Sequence, residues 1–376
     1  HSFPSDSRLP FPLSLIRSRS LQTIVQYMAV AESMTDTNNN ETRDRLPDTG
    51  ERVRGQSGEY SLGKVLGDGG YGTVFACHHS GMRLAVKVEK YSKSMLFVEA
   101  SVLRAANAEK LTHFCTMVDA GSLSKEYIFI VMTLLGKDLH RLRAEQVDRR
   151  FSMSTGLRIG MQTLEAIREL HSINFLNRDI KPGNFAPGHK ANNQHKTIYM
   201  FDFGLARRYV DKKKNIVPSR GEVGWRGTTR YGSLHAHARE DLSRRDDLES
   251  WFYLLVEVTR GCLPWRLVTD RLLVCNAKKR IRNEDADTFF QGVPPSFRKI
   301  LDDIDSLTFE REPNYDKYQK ALEEACEEND VNEEDNFDWE EEVSSRRTPN
   351  SNTADKSEFS EKKDNEVSRN CLRPNL

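Results

Sequence analysis

The sequence lacks the features of a membrane protein and of a disulfide-stabilised one. No run approaches the roughly 18 consecutive apolar residues that a transmembrane helix needs. The six cysteines are scattered over 376 residues without a Cys-x-x-Cys pair, which fits neither a disulfide scaffold nor a zinc site. This pattern is typical of a protein of a reducing compartment, so we expect a cytoplasmic location, with the nucleus as the alternative.

An excess of charge of one sign is also absent. The 56 basic side chains balance 56 acidic ones, which argues against a dedicated nucleic-acid-binding protein. Charged residues make up 30% of the chain and hydrophobic residues only 37%, so we expect part of it to be solvated. The length is too great for one small domain and suits either two domains or one domain of two lobes.

Both ends of the chain are polar and are expected to be disordered. Residues 1–57 show no apolar periodicity, and residues 343–376 form a polar tail. Between 323 and 342 the chain has twelve acidic residues and no basic one. Phe337 and Trp339 interrupt this acidic stretch, and we expect both rings to pack on the folded domain.

The region between the two ends predicts an α+β fold of two lobes. Residues 58–135 have short alternating strands and one helix, for which Ser94 is the expected N-cap. Residues 136–342 are mainly helical. The run DDLESWFYLLVEVTRG is apolar nearly all round, which predicts a buried central helix that ends at Gly261. A cleft between two such lobes is a common place for a ligand.

A glycine-rich motif opens the first lobe. The run GDGGYGTV at 67–74 matches G-x-G-x-x-G-x-V, and glycines allow backbone N–H groups to approach phosphates closely. Its position between two strands argues against a dinucleotide site, which needs a strand, a turn and a helix. Lys87 lies on the next predicted strand, within reach of phosphate oxygens under the loop. Glu99 on the following helix is the candidate carboxylate to hold that lysine.

Two further motifs predict phosphoryl transfer. The run NRDIKPGN spans 177–184, and DFG follows at 202–204. Phosphoryl transfer needs a carboxylate near the attacking hydroxyl, metal ligands, and cations near the γ-phosphate. Asp179 supplies the carboxylate. Asn184 and Asp202 offer the hard oxygen ligands that magnesium prefers, and Lys181 and Lys87 supply the cations.

Together these motifs resemble those of the eukaryotic protein kinases over roughly residues 58–342. Within that family the sequence is most similar to the casein kinase 1 superfamily and to its tau-tubulin kinase branch. The distinguishing segments are Ser233-Leu234-His235 in place of Ala-Pro-Glu, RRDDLES at 244–250, GCLPWR at 261–266, NFAPG at 184–188 and NFDWE at 336–340.

The resemblance implies a bilobed kinase fold and ATP- and magnesium-dependent transfer to serine or threonine. It makes Asp179 the catalytic base, Lys181 its γ-phosphate partner, and Asn184 a catalytic residue that also binds metal with Asp202. Lys181 two residues after the base is typical of serine/threonine kinases. The family pattern also implies two supporting residues, Asp247 beneath the catalytic loop and Thr228 beside Asp179.

The same resemblance implies a nucleotide pocket between the lobes. Met132 would be the gatekeeper, backbone groups of Thr133 and Leu135 would bind adenine, and Ala186 would leave the pocket floor roomy. The remaining nucleotide-binding residues implied are Leu66, Gly67, Gly69, Gly72, Val74, Ala85, Lys87 and Glu99. The separation of Lys87 from Glu99 is shorter than is usual in the family.

Asn177 departs from the family pattern, because most kinases have a histidine at this position. We expect Asn177 to fill the space beneath Phe203 less well, so that Asn177→His or Asn177→Tyr would raise stability or kcat. This departure leaves a second hypothesis open, that of a pseudokinase that acts as a scaffold or binding module. A metabolic phosphotransferase is a third, which the SLH and LPW segments disfavour.

The activation segment, residues 202–230, has a net charge of +5. The segment has eight basic residues and three acidic ones. The basic residues are Arg207, Arg208, Lys212, Lys213, Lys214, Arg220, Arg226 and Arg230. Arginines bind phosphate in a bidentate manner. We therefore expect Arg220, Arg226 and Arg266 to bind acidic or already phosphorylated protein substrates; the alternative is that these arginines are ordinary solvated loop charge. The resemblance suggests cytoskeletal proteins as partners. Without interleaved aromatic residues, nucleic-acid binding is disfavoured.

Overall fold

The computed structural model describes residues 44–70, 72–123 and 125–340. The disorder predicted for 1–43 and for 343–376 lies outside these residues. For residues 44–57 the prediction of disorder is wrong, because strand β1 (Arg52–Arg54) pairs with the next strand and buries Val53. The backbone N–H groups of Gln56 and Ser57 donate to the carboxylate of Asp119, which ties this segment to the sheet.

The first lobe is built on a six-stranded antiparallel sheet in the order β1-β2-β3-β4-β6-β5. Its apolar residues at alternating positions, among them Tyr60, Phe75 and Val86, form a buried cluster on one face. The strands after β1 are β2 (Glu59–Asp68), β3 (Gly72–His79), β4 (Met82–Lys90), β5 (Met117–Leu123) and β6 (Tyr127–Thr133).

One helix, α1 (Leu96–Ala108), packs against strands β5 and β6 of this sheet. The predicted N-cap is wrong by one residue, since Met95 occupies the cap position and its side chain accepts no capping hydrogen bond. Ser94 still supports the helix start, because its hydroxyl accepts a hydrogen bond from the N–H of Leu96 at 3.1 Å. The helix directs Glu99 into the lobe interior.

The second lobe is helical and has the predicted buried helix at its centre. That helix, α5, packs on α3 and ends at Gly261, whose φ of +96° favours glycine. The helices of this lobe are α2 (Leu139–Ala144), α3 (Met153–Ser172), α4 (Leu234–His237), α5 (Arg244–Arg260), α6 (Arg271–Arg280), α7 (Ala286–Phe290), α8 (Ser296–Asp305) and α9 (Tyr315–Glu328). Among residues 44–340 as described, no helix is long and apolar enough to cross a membrane.

Two small two-stranded sheets carry the loops of the candidate site. Strand β7 (Phe175–Leu176) pairs with β10 (Arg207–Arg208), and β8 (Phe185–Pro187) pairs with β9 (Ile198–Met200). The NRDIKPGN loop connects β7 to β8, and the DFG segment connects β9 to β10. The β-sheet lobe followed by the helical lobe confirms the predicted bilobed α+β kinase fold.

The acidic segment packs on α3 through its aromatic residues, as predicted. The Phe337 and Trp339 rings stack with centroids 4.4 Å apart, and the Arg158 guanidinium lies 4.0 Å from the Phe337 centroid. Asp338 accepts a hydrogen bond from the N–H of Ser152, the N-cap of α3, at 2.6 Å. These contacts hold residues 337–339 against the start of α3.

Candidate active site

The glycine motif forms the turn between β2 and β3. Gly67 lies opposite Val74, and the N–H of Gly69 donates to the carbonyl of Gly72 at 3.0 Å. A Cβ on Gly72 would lie 1.9 Å from the carbonyl oxygen of Val88 on β4. Glycine is therefore required at 72 for the turn to lie so close to the strand that carries Lys87.

Lys87 on β4 is surrounded by carboxylates. Its Nζ lies 2.6 Å from Oε2 of Glu99 and 3.3 Å from Oδ1 of Asp202. The short separation of Lys87 and Glu99 in the sequence does not prevent their ion pair. Glu99, on α1, is only 1% exposed. Glu89, which sequence reasoning missed, lies 3.6 Å from the same Nζ.

These contacts set the ionisation of the three charged groups. Burial disfavours the charged form of Lys87, but Glu99, Asp202 and Glu89 outweigh it and raise the pKa of the lysine. Burial raises the pKa of Glu99, against the opposing effect of Lys87. For Asp202 the attraction of Lys87 and Lys181 outweighs burial and lowers the pKa. The site therefore presents a cationic lysine beside an ionised aspartate.

The predicted adenine-binding residues lie on strands β2, β4 and β6 and on the segment that leads from β6 into the second lobe. Ala85 on β4 pairs with Met132 on β6. The N–H of Thr133 donates to the carbonyl of Thr116 at 3.1 Å, so this N–H is already occupied within the first lobe. Leu135 bridges to Gly188, and Ala186 is buried on β8. Leu66 is partly exposed on β2.

The carboxylate of Asp179 is held from two sides. Its Oδ2 accepts a hydrogen bond from Nζ of Lys181 at 2.6 Å, and its Oδ1 accepts one from the Thr228 hydroxyl at 2.8 Å. Nζ of Lys181 also donates to that hydroxyl at 3.2 Å. Three residues that sequence reasoning grouped together are thus in direct contact.

Asp247 on α5 lies beneath the catalytic loop, as the resemblance implied. It accepts hydrogen bonds from the backbone N–H groups of Asn177 at 2.7 Å and Arg178 at 2.8 Å. Arg178 has a φ of +67°, an uncommon value for a non-glycine residue, and the anchored backbone maintains it. His171, which sequence reasoning missed as a site residue, lies on α3 with Nε2 3.0 Å from the Asp247 carboxylate.

Asn177 makes polar contacts of its own in the interior. It is 1% exposed, its Oδ1 accepts a hydrogen bond from the N–H of Asp179 at 2.9 Å, and its Nδ2 lies 3.6 Å from the sulfur of Met200. Phe203 is buried and stacks on Phe114 with centroids 5.6 Å apart. The expected looser packing beneath Phe203 stays a prediction, which the variants at Asn177 test.

Asn184 and Asp202 lie at the same end of the β8–β9 pair. Asn184 donates from Nδ2 to the carbonyl of Asp179 at 3.0 Å, which leaves its Oδ1 available as a ligand. The Asp202 side chain is 49% exposed. In the described residues, no three His, Cys, Asp or Glu are grouped to hold a metal. The Asn184 amide and the Asp202 carboxylate offer the hard oxygen ligands that magnesium prefers beside phosphate oxygens and water.

A cleft of about 560 Å³ opens beside Lys181. Its walls include the segment 228–231 and the side chain of Arg266. Both Arg230 and Arg141 add positive charge to it. Lys181 and Thr228, which both contact the Asp179 carboxylate, line this cleft, so it opens beside that carboxylate.

A second basic cluster lies apart from that cleft and contains two of the three predicted anion-binding arginines. Arg178, Arg220, Arg226 and Arg239 line one concave site, whereas Arg266 lies in the cleft beside Lys181. Burial, and after it the nearby Arg226 and Arg207, lower the pKa of Arg178 to about 10.

One carboxylate, that of Asp241, holds part of this cluster. It receives Nη2 of Arg220 at 2.6 Å and Nη1 of Arg207 at 2.9 Å. Sequence reasoning missed Asp241, because no motif distinguishes it from other acidic residues after the activation segment. Its two arginine partners lower the pKa of Asp241 against the effect of burial.

Comparisons with known proteins agree with this geometry. The protein kinase domain family matches residues 60–331. A probable serine/threonine-protein kinase of Dictyostelium discoideum is 35% identical over 287 residues, covering 75% of this chain and 57% of that protein. The serine/threonine-protein kinase spe-6 of Caenorhabditis elegans is 37% identical over 264 residues, 68% of each chain.

A more distant relative is casein kinase I homolog 2 of Saccharomyces cerevisiae, which is 29% identical over 296 residues, or 74% of this chain and 52% of that protein. The chain therefore spans little more than half the length of two of these relatives. The family match nevertheless includes the glycine turn, Lys87, the catalytic loop and the DFG segment. The chain belongs to the protein kinase family, and its relatives are serine/threonine kinases that include casein kinase I homologs.

Proposed function

We propose that this protein is an active kinase that transfers the γ-phosphate of magnesium-bound ATP to serine and threonine hydroxyls of proteins. The observation that carries the proposal is the contact of Asp179 with both Lys181 and Thr228, at 2.6 and 2.8 Å. This arrangement points a carboxylate and a cation at the same place, beside a cleft open to a polypeptide. The serine/threonine kinase names of the relatives support the acceptor class.

Each residue has a defined task in this proposal. Asp179 orients the acceptor hydroxyl and takes its proton, while Lys181 stabilises negative charge beside it. Lys87, fixed by Glu99, binds phosphate oxygens beneath the glycine turn. When bound, ATP supplies the phosphoryl group, and Asn184 with Asp202 would hold its magnesium ion.

The pseudokinase alternative rests on Asn177, the departure from the usual histidine. Its contact with the N–H of Asp179 argues against that alternative, since the side chain supports the catalytic loop. The ion pair of Lys87 with Glu99 argues against it as well. Both features support transfer, and neither is needed for a scaffold.

The experiment compares wild type with Lys87→Met and, as a matched control, Lys64→Met, which alters an exposed lysine on β2. Transfer of label from radiolabelled ATP to casein is measured with and without magnesium. We expect wild type and Lys64→Met to label serine and threonine only with magnesium, and Lys87→Met to lose at least about 99% of the rate. A wild type that binds ATP without any transfer would favour the pseudokinase.

We also propose that the substrates are acidic or already phosphorylated. The support is the cluster of Arg178, Arg220, Arg226 and Arg239, whose guanidinium groups suit a phosphate or carboxylates. Asp241 holds Arg220 in place, which lowers the entropic cost of binding an anion there. An exposed charge contact contributes only about 0.2–1 kcal/mol, so several must act together.

Finer assignments rest on the sequence resemblance alone. We propose the tau-tubulin kinase branch, cytoskeletal proteins among the substrates, and a cytoplasmic location with the nucleus as the alternative. Purified tubulin and casein, compared at equal concentration in the same label-transfer assay, test the substrate part. A rate on tubulin no higher than on an unrelated acidic protein would contradict it.

A further inference from the structure

A lysine is fully buried behind the proposed peptide groove. Lys278 on α6 is 0% exposed, although lysine is among the residues least often found buried. Its Nζ lies 4.8 Å from the ring centroid of Tyr253 and 5.6 Å from that of Trp265. The charge is thus enclosed by aromatic faces rather than by solvent.

The amine of Lys278 binds backbone groups of one short segment. It donates to the carbonyl of Thr229 at 3.0 Å and to the carbonyl of Gly232 at 2.6 Å. The third contact is Nε2 of His237, at 3.3 Å. A single side chain therefore ties together two backbone groups that lie three residues apart.

That segment, residues 228–232, joins the catalytic loop to the groove. It starts at Thr228, whose hydroxyl contacts Asp179, and its residues 228–231 line the cleft of about 560 Å³. Nε1 of Trp265 donates to the carbonyl of Arg230 at 2.9 Å. Three carbonyls of this segment, those of residues 229, 230 and 232, are thus held by Lys278 and Trp265.

The surroundings of Lys278 satisfy the amine in either charge state. Burial lowers the pKa of Lys278 to about 7, and burial lowers the pKa of His237 to about 4, so the imidazole is neutral at pH 7. A neutral imidazole presents Nε2 as an acceptor or as a donor, according to its tautomer. The amine donates to the carbonyls of Thr229 and Gly232 whether it is charged or neutral, so these two contacts do not depend on its protonation.

Packing alone does not explain a lysine at this position. Burying an amine is costly, and an apolar side chain of similar length would fill the space at less cost. What an apolar side chain lacks is a donor for the carbonyls of Thr229 and Gly232, which would then be buried without partners. The chemistry of Lys278 is thus directed at the backbone of this segment.

We infer that Lys278 is a positioning residue for the protein substrate, which it serves by fixing residues 229–232. The fixed segment holds Thr228 against Asp179 and gives the groove wall its shape. This inference rests on the proposed kinase function for its kinetic consequence. Its structural part, the ordering of the segment, stands independently of catalysis.

The experiment compares Lys278→Met with Lys279→Met, which changes the exposed neighbouring lysine on the same helix. Kinetics are measured with a serine peptide and with ATP varied separately, and hydrogen exchange is followed by mass spectrometry. We expect Lys278→Met to lower kcat/KM for the peptide at least tenfold while the KM for ATP changes less than twofold. Exchange should accelerate in residues 228–233 and stay unchanged elsewhere, and Lys279→Met should match wild type.

Trp265→Phe serves as a second variant if Lys278→Met fails to fold, because it removes the donor to the carbonyl of Arg230 and keeps an aromatic ring at this position. It should also lower kcat/KM for the peptide and accelerate exchange in residues 228–233, by smaller factors than Lys278→Met. Wild-type exchange and peptide kinetics in the folded variants would overturn the inference. So would a uniform rise in exchange with a parallel loss of ATP affinity, which would show a packing role only. If wild type itself transfers no phosphate, the proposed function fails, and the exchange data still decide the role of Lys278.

Discussion

The side-chain oxygen of Asn177 accepts a hydrogen bond from the backbone N–H of Asp179, at a distance of 2.9 Å. Asn177 is itself held by Asp247, which accepts from its backbone N–H at 2.7 Å. The residue at the position where most kinases have histidine therefore supports the orientation of the catalytic carboxylate from within the loop. Its amide group, rather than its volume, is what the loop uses.

Replacing Asn177 by leucine, which has similar size and no acceptor, should lower kcat. The loss of one buried hydrogen bond, about 1 kcal/mol, corresponds to roughly a fivefold fall, while the KM for ATP should be unchanged. Steady-state kinetics of Asn177→Leu beside the exposed control Asn276→Leu provide the check. Asn177→Tyr, which fills more space without offering an acceptor at that point, should lower kcat too. An increase in kcat for either variant at Asn177 would instead support the hypothesis of loose packing beneath Phe203.

Asp202→Asn should abolish transfer and leave the fold intact. The substitution removes a charge and little volume, and Lys87 keeps its ion pair with Glu99. We expect the rate to fall at least about 100-fold at saturating ATP and magnesium, with an unchanged circular dichroism spectrum. Near-wild-type transfer by this variant would remove Asp202 from the metal site.

The sequence was sufficient to predict the two lobes, the central helix ending at Gly261 and the grouping of Lys87, Asp179 and Asp202. The lobes and the helix follow from hydrophobic patterning, and the grouping follows from the resemblance to a family in which these separate motifs form one site. Asp241 and Lys278 could not be predicted in the same way. Each binds groups brought close only by the fold, and neither belongs to a motif with a chemical signature.

The segment before residue 58 illustrates the same limit. Its composition predicts disorder, yet Val53 pairs into the sheet because the neighbouring strand offers backbone partners and a buried face. Packing overrides a local preference of this kind. For Asn177, the sequence showed that the residue departs from the usual histidine. Only the structure showed that its side chain accepts a hydrogen bond from the N–H of Asp179.

Arg226→Ala should weaken the preference for acidic or phosphorylated peptides. The ratio of kcat/KM for a phosphorylated peptide over its neutral counterpart should fall about two- to fivefold, since one partly exposed contact contributes about 0.2–1 kcal/mol. The same ratio in wild type should decrease as salt is raised. Lys212→Ala, in the same segment but outside the cluster, is the control. Equal rates of wild type on both peptides would mean that the arginines are ordinary solvated charge.

The pH dependence of stability should carry the signature of Lys278. The pKa of Lys278 is about 7 in the folded protein, lowered by burial from an ordinary value of 10.5. Between these values the unfolded chain binds a proton that the folded chain does not, so the free energy of unfolding rises with pH. The neighbouring His237 is already neutral in this range, and Glu249 and Arg282 act on the amine in opposite directions.

Urea denaturation at pH 7 and at pH 9 measures this effect in wild type and in Lys278→Met. The stability of wild type relative to the variant should increase between the two pH values. A difference that stays constant, or that decreases, would mean that the amine keeps its proton inside the folded protein.

The central claim is that Asp179 acts as the catalytic base of an active kinase. The most direct test is the initial rate of label transfer from radiolabelled ATP to casein, measured for wild type and Asp179→Asn with magnesium present. The account predicts labelled serine and threonine for wild type. It predicts at least about a 100-fold lower rate for the variant, with ATP affinity and melting temperature preserved. Equal rates for the two proteins, or ATP binding by wild type with no transfer, would contradict it.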